Sequence, residues 1–387
     1  MLRRMNSGAV LRFALRVAEF TAAEVMTETA LTRSTVLGVC DDLVATGWLE
    51  ELEDSRAAGL TTKGRPARRY RLREDAGIVV GVDAGEHRYA AVAADLRGRP
   101  LAERSAELDV PSASAADRLA TASSLVEGTV AAAGRRRDEV LLTVVGVPAP
   151  VDAHGRSPRG TNDFWATMNP GFPEALAGAV VVENDANLAA VSELAHAHDP
   201  ADSDVATVLS GERLGAGVIL DGRLLRGARG GAGEMRFLDI VEGVGSADGI
   251  GALARIWARA LVEEHPSSAL AAFAPHEIDA ERVFVAAAEG DALALDIIAR
   301  LGARVARVAV VLSSLLDVDK VVIAGAISDA VEPVLVHARA MLAADFPPPV
   351  PDVVASTLGR DVVVLGAVEF ALGRVRDEPL AFTPAVR

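Results

Sequence analysis

One pattern of short apolar runs occurs twice in this chain, and that repetition limits the available folds more than any other feature. The first series opens with "IVVGVDAG" (78–85), passes through a turn in "YAAVAADLRGRPL" (89–101) and reaches a third strand in "ERSAELDV" (103–110). A helix over about 115–132 follows, then the strands "VLLTVVGVPAP" (140–150) and "AVVVEN" (179–184). The second series begins near Asp204 with "VATVLS" (205–210) and "GAGVILDGRLL" (215–225). It continues through a long helix at about 292–316, the strand "KVVIAG" (320–325), another helix and "DVVVLGAVEFALGRV" (361–375). Apolar runs of this length, bounded by glycine and alternating with helices, read as buried strands. Each series opens with a small sheet and a glycine-containing turn. The expectation is a duplicated α/β body with a ligand cleft between two lobes.

Within that body "VVENDANLAA" (181–190) runs from a strand into an alanine-rich helix through Asn184 and Asp185. A carboxylate there can abstract a proton, hold a ligand hydroxyl or cap the helix, and either residue suits the cap. His196 and His198 in "AHAHDP" are two apart, so they point from different helix faces and read as a solvated helix end, not a metal pair.

The chain has 387 residues, room for two or three domains, and no apolar run approaching a membrane span of about 18–20 residues. No signal peptide is read at its start, and a cytoplasmic location is expected. The single cysteine, Cys40, excludes an internal disulfide and a multi-cysteine zinc site. Net charge is −15, yet residues 1–73 hold 12 Lys/Arg against 9 Asp/Glu, leaving −18 for the remainder. The stretch "SRAAGLTTKGRPARRYRLR" (55–73) has seven basic residues and no acid. A basic module on an acidic body points to nucleic acid at one end.

That first segment predicts three helices. One covers about 7–18, a second opens at Thr21 with Glu24 at capping-box spacing, and a third opens at Thr32. In the third, Val36, Val39, Cys40, Leu43 and Val44 follow helical spacing and turn inward. This leaves Arg33, Ser34 and Thr35 at the exposed N-terminal end, where a recognition helix meets base edges. Two strands around a basic tip then form a wing. Lys63, Arg65, Arg68 and Arg69 are its candidates for phosphate or minor-groove contact. A hinge is expected near 72–77. A tri-helical packing module without nucleic acid is the alternative reading.

Taken in order, "GRPA", "VGVDAG", "GVPAPVD", "VENDANLAA", "LGAGVILDGRLLRGARGGAGE" and "VVIAG" resemble the ROK family of repressors and sugar kinases, over nearly the whole chain. The resemblance implies an actin-like, ribonuclease-H-like two-lobed body with an N-terminal winged helix-turn-helix. The domains would be 1–73 for the winged helix, 74–200 completed by a C-terminal helix at 366–387 for the first lobe, and 201–365 for the second. It also implies sugar-hydroxyl partners at Asn162, Asn184, Asp185 and Glu234, with Asp185 at the position of the kinase base. A homodimer or dimer of dimers, double-stranded operator DNA and a sugar or sugar-phosphate effector are the implied partners, with no membrane and no cofactor.

Two phosphate turns depart from the kinase pattern. The first, similar to Asp-x-Gly-Gly-Thr, reads Asp83-Ala84-Gly85-Glu86-His87. The second, similar to Gly-Thr-Gly-x-Gly-x-Gly, reads Gly211-Glu212-Arg213-Leu214-Gly215-Ala216-Gly217. A like-charge contact at ~4 Å costs about 4 kcal/mol at an effective dielectric near 20, so Glu86 and Glu212 are expected to repel a polyphosphate unless Mg²⁺ or Arg213 compensates. The family's zinc loop resembles one histidine plus a cysteine cluster. Here the histidine position falls at Phe237 and a family glutamate near Ala254, so no metal is expected. Asp185 is then a relic of a base. The expected function is a sequence-specific transcriptional regulator, a repressor, of carbohydrate genes, with an ATP-dependent sugar kinase as the alternative. A regulator with no small ligand is the third possibility.

Overall fold

A computed structural model describes residues 2–52, 68–108, 113–158, 163–197, 203–235 and 237–384. Two compact units emerge. The first comprises residues 1–145, 170–182 and 367–387, the second residues 146–169 and 183–366. The chain therefore crosses between units after residues 145, 169, 182 and 366, beside expected boundaries at 73, 200 and 365. The winged-helix segment shares its unit with the first sheet.

The first unit opens with α1 (Leu2–Arg16), β1 (Phe20–Thr21), α2 (Ala22–Thr29), α3 (Arg33–Ala45), β2 (Leu49–Leu52) and β3 (Arg69–Leu72). The expected caps are present. Thr21 and Glu24 form a complete capping box, and Thr32 accepts from Thr35 N. Val36, Val39, Cys40 and Leu43 are buried with Val10, Leu11 and Ala14 of α1. Strands β2 and β3 pair antiparallel and β1 joins the outer side, in the order β1-β3-β2. Phe20 stacks near Tyr70 at 5.8 Å between ring centres, closing this small core. The expected hinge is instead a hydrogen-bonded turn. Arg73 N donates to Trp48 O, Ala76 N to Arg73 O, and Ala76 is buried. A Cβ on Gly77 would strike Leu141 at 2.6 Å.

The same unit continues with β4 (Ile78–Ala84), β5 (Arg88–Asp95), β6 (Pro100–Glu107), α4 (Ala115–Ala132) and β7 (Val140–Val147). Beyond the short helices α5 (Phe164–Met168) and α6 (Phe172–Ala175), β8 (Val180–Asn184) completes a sheet of order β6-β5-β4-β7-β8. Three arginines tie the α1 segment to the rest of its unit. Arg97 Nη2 donates to Val17 O at 3.1 Å, Arg4 to Leu380 O at 3.3 Å and Arg12 to Asp377 O at 3.5 Å.

The second unit repeats the plan. Helix α7 (Asp185–Ala195) leads to β9 (Val205–Ser210), β10 (Leu214–Leu220), β11 (Arg223–Leu224), α8 (Ile250–Leu261), α9 (Ala280–Ala288), α10 (Ala292–Leu316) and β12 (Lys320–Ala324). Then come α11 (Glu332–Asp345), β13 (Asp352–Ala355) and α12 (Val362–Asp377). Its sheet runs β11-β10-β9-β12-β13, with β9, β12 and β13 parallel. Each five-stranded sheet thus begins with antiparallel neighbours. Helices α10 and α11 approach so closely that a Cβ on Gly302 would meet Val334 O at 2.7 Å. Gly325 has φ +98°, so it serves the turn leaving β12, where a side chain would be strained. Among the described residues, no helix is long and apolar enough to cross a membrane.

Candidate functional site

The β8–α7 junction is built by three consecutive polar residues with separate duties. Asn184 is the N-cap of α7, accepting from Asn187 N at 3.0 Å. Its amide donates to Ala149 O at 3.1 Å and reaches Glu234 Oε1 at 3.4 Å. Asp185 is the first helical residue, half-buried, with Oδ1 accepting from Ala186 N at 2.7 Å. The cap therefore falls to Asn184, and Asp185 sits on the positive end of the helix dipole. The structure brings Asn184 and Glu234 together, with Asp185 next in sequence; Asn162 lies outside the described residues.

Glu183, which sequence reading passed over, holds this junction. It is 4% exposed. Oε1 accepts from Asn184 N at 3.0 Å and Asn187 Nδ2 at 2.9 Å, while Oε2 accepts from Arg226 Nε at 2.9 Å. Arg226 opens the loop that ends at Glu234, so one buried carboxylate ties that loop to α7. Glycines let the loop lie against its surroundings. At Gly233, φ is +80° and a Cβ would stand 1.8 Å from Ala216 O.

Both glycine-containing turns, 83–87 and 211–217, are held by arginines from helices elsewhere in their own unit, which sequence spacing does not predict. In the first unit Arg118, 2% exposed on α4, donates to Gly85 O at 3.2 Å and Glu86 O at 3.1 Å. In the second, Arg255 of α8 donates to both oxygens of Glu212 at 2.7 Å each. This strong pairing raises the guanidinium pKa above its ordinary value, hydrogen bonding to Glu212 being the main cause. Arg213, the expected compensating charge, lies 3.9 Å over the Phe164 ring. The expectation of an uncompensated carboxylate at Glu212 is thus corrected: its counter-charge is Arg255. Gly217 is retained for packing, because a Cβ there would meet Ala186 O at 2.1 Å.

Among the described residues no cluster of His, Cys, Asp and Glu is arranged to hold a metal. At the family's histidine position Phe237 is 68% exposed, and nearby Ile240 is 83% exposed, while Leu238 and Val244 pack inward.

On the winged-helix segment, Arg33 and Ser34 are exposed and Thr35 is partly covered, all in the first turn of α3. Ser34 and Thr35 hydroxyls lie 3.2 and 2.9 Å from Thr32 Oγ1. With Gly38 and Asp41 they form one exposed stripe. Lys63 and Arg65 fall outside the described residues. Arg68 and Arg69, expected at phosphate, are engaged inside the module. Arg68 pairs with Glu51 and, at 2.9 Å, with Asp41; Arg69 pairs with Glu19. Of these acids only Glu51 lies on a wing strand; Asp41 is on α3 and Glu19 precedes β1, so packing of the whole module brings them to the arginines.

These sheets and this module define an actin-like α/β body carrying an N-terminal helix-turn-helix segment. The family model described as "ROK family" matches residues 79–374, and the chain belongs to that family. A solved ROK family transcriptional regulator, described as a homologue of the E. coli MLC protein, superposes with TM-score 0.75 at 20% identity, covering 98% of each chain. A Streptomyces griseus ROK glucokinase, solved with glucose and AMPPNP, gives TM-score 0.61 at 26% identity, covering 76% of this chain and 99% of that one. By sequence, the glucokinase of Halalkalibacterium halodurans is 29% identical over 48% of this chain and 62% of its own. The xylose repressor of Caldicellulosiruptor bescii is 24% identical over 61% of this chain and 58% of its own. The chain therefore spans less than two thirds of the length of the curated relatives it matches first. Repressor and kinase relatives both occur.

Proposed function

We propose that this chain is a sequence-specific DNA-binding regulator, a repressor of carbohydrate genes that responds to a sugar or sugar phosphate. The observation that carries this reading is the exposed, capped first turn of α3, with Arg33 and Ser34 outward and the opposite face in the module's core. Such a turn suits base edges in the major groove, and its dipole favours nearby phosphate. Gly38 continues the stripe with open space where a Cβ would stand, allowing close backbone approach. Arg68 then acts indirectly, neutralising Asp41 and Glu51 where they would oppose the phosphates. Two copies would present two such helices to an operator with matching half-site spacing. Lys63 and Arg65 are proposed as wing contacts on sequence alone.

The proposed effector site is Asn184, Asp185 and Glu234, with Asn162 added from the family resemblance. Carboxylates and amides on one buried frame suit vicinal hydroxyls through charge-assisted hydrogen bonds. A sugar binding there would shift the balance between conformers that fit the operator and those that do not.

Genomic footprinting followed by binding titrations tests the reading. Arg33→Ala is expected to weaken the operator by about 10- to 100-fold while leaving nonspecific binding nearly unchanged. Equal operator affinity in Arg33→Ala and the parent would overturn it. A second reading, a sugar kinase, is favoured by one fact: Arg255 removes the electrostatic objection at Glu212. Against it stand the loss of the threonine donors and the bulk of Arg213 in the second turn. ATP-dependent phosphorylation of a hexose, abolished by Asp185→Asn, would establish the kinase reading.

A further inference from the structure

A groove of about 510 Å³ opens in the second unit between α9 and the segment 269–273. Much of its wall is apolar. Buried Leu270 and Ala286 line it together with Phe273 and Val285, which stay 39% and 51% exposed. Neither the β8–α7 junction nor the first turn of α3 contributes to it, so the groove is separate from the proposed effector and DNA sites.

One stripe of α9 sets the charge along this groove. Glu281, Val285 and Glu289 follow at intervals of four, so two carboxylates flank the valine on one helix face. Eight residues of helical rise put their Cα atoms about 12 Å apart. Both glutamates are exposed, and neither side chain has a hydrogen bond or ion pair among the described residues. Glu281 lies in the first turn of α9, where the helix dipole favours an acid. Glu289 is the C-cap, where the aligned peptides already place negative charge, so a carboxylate there is unfavourable until a cation meets it. Arg282, the basic residue of the lining, is committed. Its Nη1 donates to Asp279 Oδ2 at 2.7 Å and Glu277 O at 2.6 Å, and Cζ lies 4.8 Å over the Phe273 ring centre. Asp279 thus balances Arg282, and Glu281 and Glu289 leave the groove negative at both ends of the stripe.

From this arrangement we propose that the groove binds a linear aliphatic diamine, one ammonium at Glu281 and the other at Glu289. Its methylene chain covers Val285 and packs toward Phe273, removing apolar surface from water. Charge complementarity selects this occupant. An anion would meet two carboxylates beside an arginine already paired, and a neutral apolar ligand would leave both acids unmatched. A single metal ion cannot bridge carboxylates two helical turns apart. The ammonium at Glu289 gains twice, from the carboxylate and from the negative end of α9. The inference is independent of the DNA and sugar readings.

Isothermal titration of the full chain with the unbranched α,ω-diamines of four and eight carbons tests it, since the longer one spans the stripe and the shorter does not. Octylamine and octanoate serve as controls for one positive and one negative end. Saturable binding of the eight-carbon diamine is expected, tighter than that of the four-carbon diamine or octylamine. It should weaken about threefold or more in Glu281→Gln and in Glu289→Gln, and about tenfold or more in the double variant. Both positions are exposed, so the variants should fold, and circular dichroism checks this. Three results would overturn the proposal: no binding of the eight-carbon diamine, affinity no greater than that of the four-carbon diamine or octanoate, or affinity unchanged in the double variant. The last would mean attraction to the acidic body in general.

Discussion

Arg255 grips Glu212 with two parallel hydrogen bonds of 2.7 Å, one to each carboxylate oxygen. The pair is partly exposed, at 28% and 38% for the two side chains, so screening limits its worth despite the good geometry. A double-mutant cycle with Glu212→Gln and Arg255→Leu, read by denaturant unfolding, should give a coupling of about 1 kcal/mol. A coupling near zero would mean that the two side chains separate in solution.

Asn184 and Asp185 should respond differently to substitution. Asn184→Ala removes the α7 cap and the donor to Ala149 O, and is expected to cost about 1–3 kcal/mol of stability. Asp185→Asn leaves that frame intact and should change stability little while lowering sugar affinity. Thermal melts with and without glucose or xylose separate the two effects. Equal destabilisation by both variants would make Asp185 a structural residue.

The contact between Gly217 and α7 sets a harder limit. Since a Cβ would stand 2.1 Å from Ala186 O and 2.7 Å from the Ala190 Cβ, Gly217→Ala must push helix and strand apart. A loss of about 2–4 kcal/mol is expected, in the range of overpacked cores. Gly211→Ala has nothing within 4 Å and should be mild by comparison. Comparable melts for the two variants would contradict this account of the retained glycine.

Alkaline pH should weaken the N-terminal module. Burial pushes the Cys40 thiol up to about 12 and the Tyr70 phenol up to about 12, from ordinary values of 9.0 and 10.0. Below pH 9 both groups are protonated whether folded or not. As pH rises beyond that, the unfolded chain sheds protons that the folded module keeps, so stability falls between about pH 9 and 12. Tyr89, the other of the two tyrosines, is also raised, mainly by burial. Tyrosinate absorbance should therefore stay low past pH 10 in the native protein. An ordinary tyrosine titration with the circular dichroism unchanged would refute this.

Local chemistry made much of this architecture readable. Thr21 with Glu24, and Thr32 before α3, announce their caps within three or four residues, and the paired run pattern announces two similar sheets. The residues that organise the candidate site were not readable in the same way. Glu183 meets Arg226 across 43 positions, Arg255 meets Glu212 across 43, and Arg118 meets Gly85 across 33. No helical or strand period links such partners; only the packed fold does. For Arg118 a signal existed in its helical alignment with buried Ala122 and Leu125, where an arginine requires acceptors. At the wing the opposite occurred. Arg68 and Arg69 carry the right charge for DNA, but the packed module places Glu51, Asp41 and Glu19 beside them, and a count of basic residues is blind to packing.

The docking of α1 bears on the order in which the molecule assembles. Arg4 and Arg12 bond to carbonyls 376 and 365 residues further along the chain. The N-terminal helix can therefore coil as soon as it leaves the ribosome, but its seat is complete only after residues 377–381 have been synthesised. Contacts this distant in sequence form late, because loop closure must precede them. During translation this helix is thus made well before the residues that anchor it.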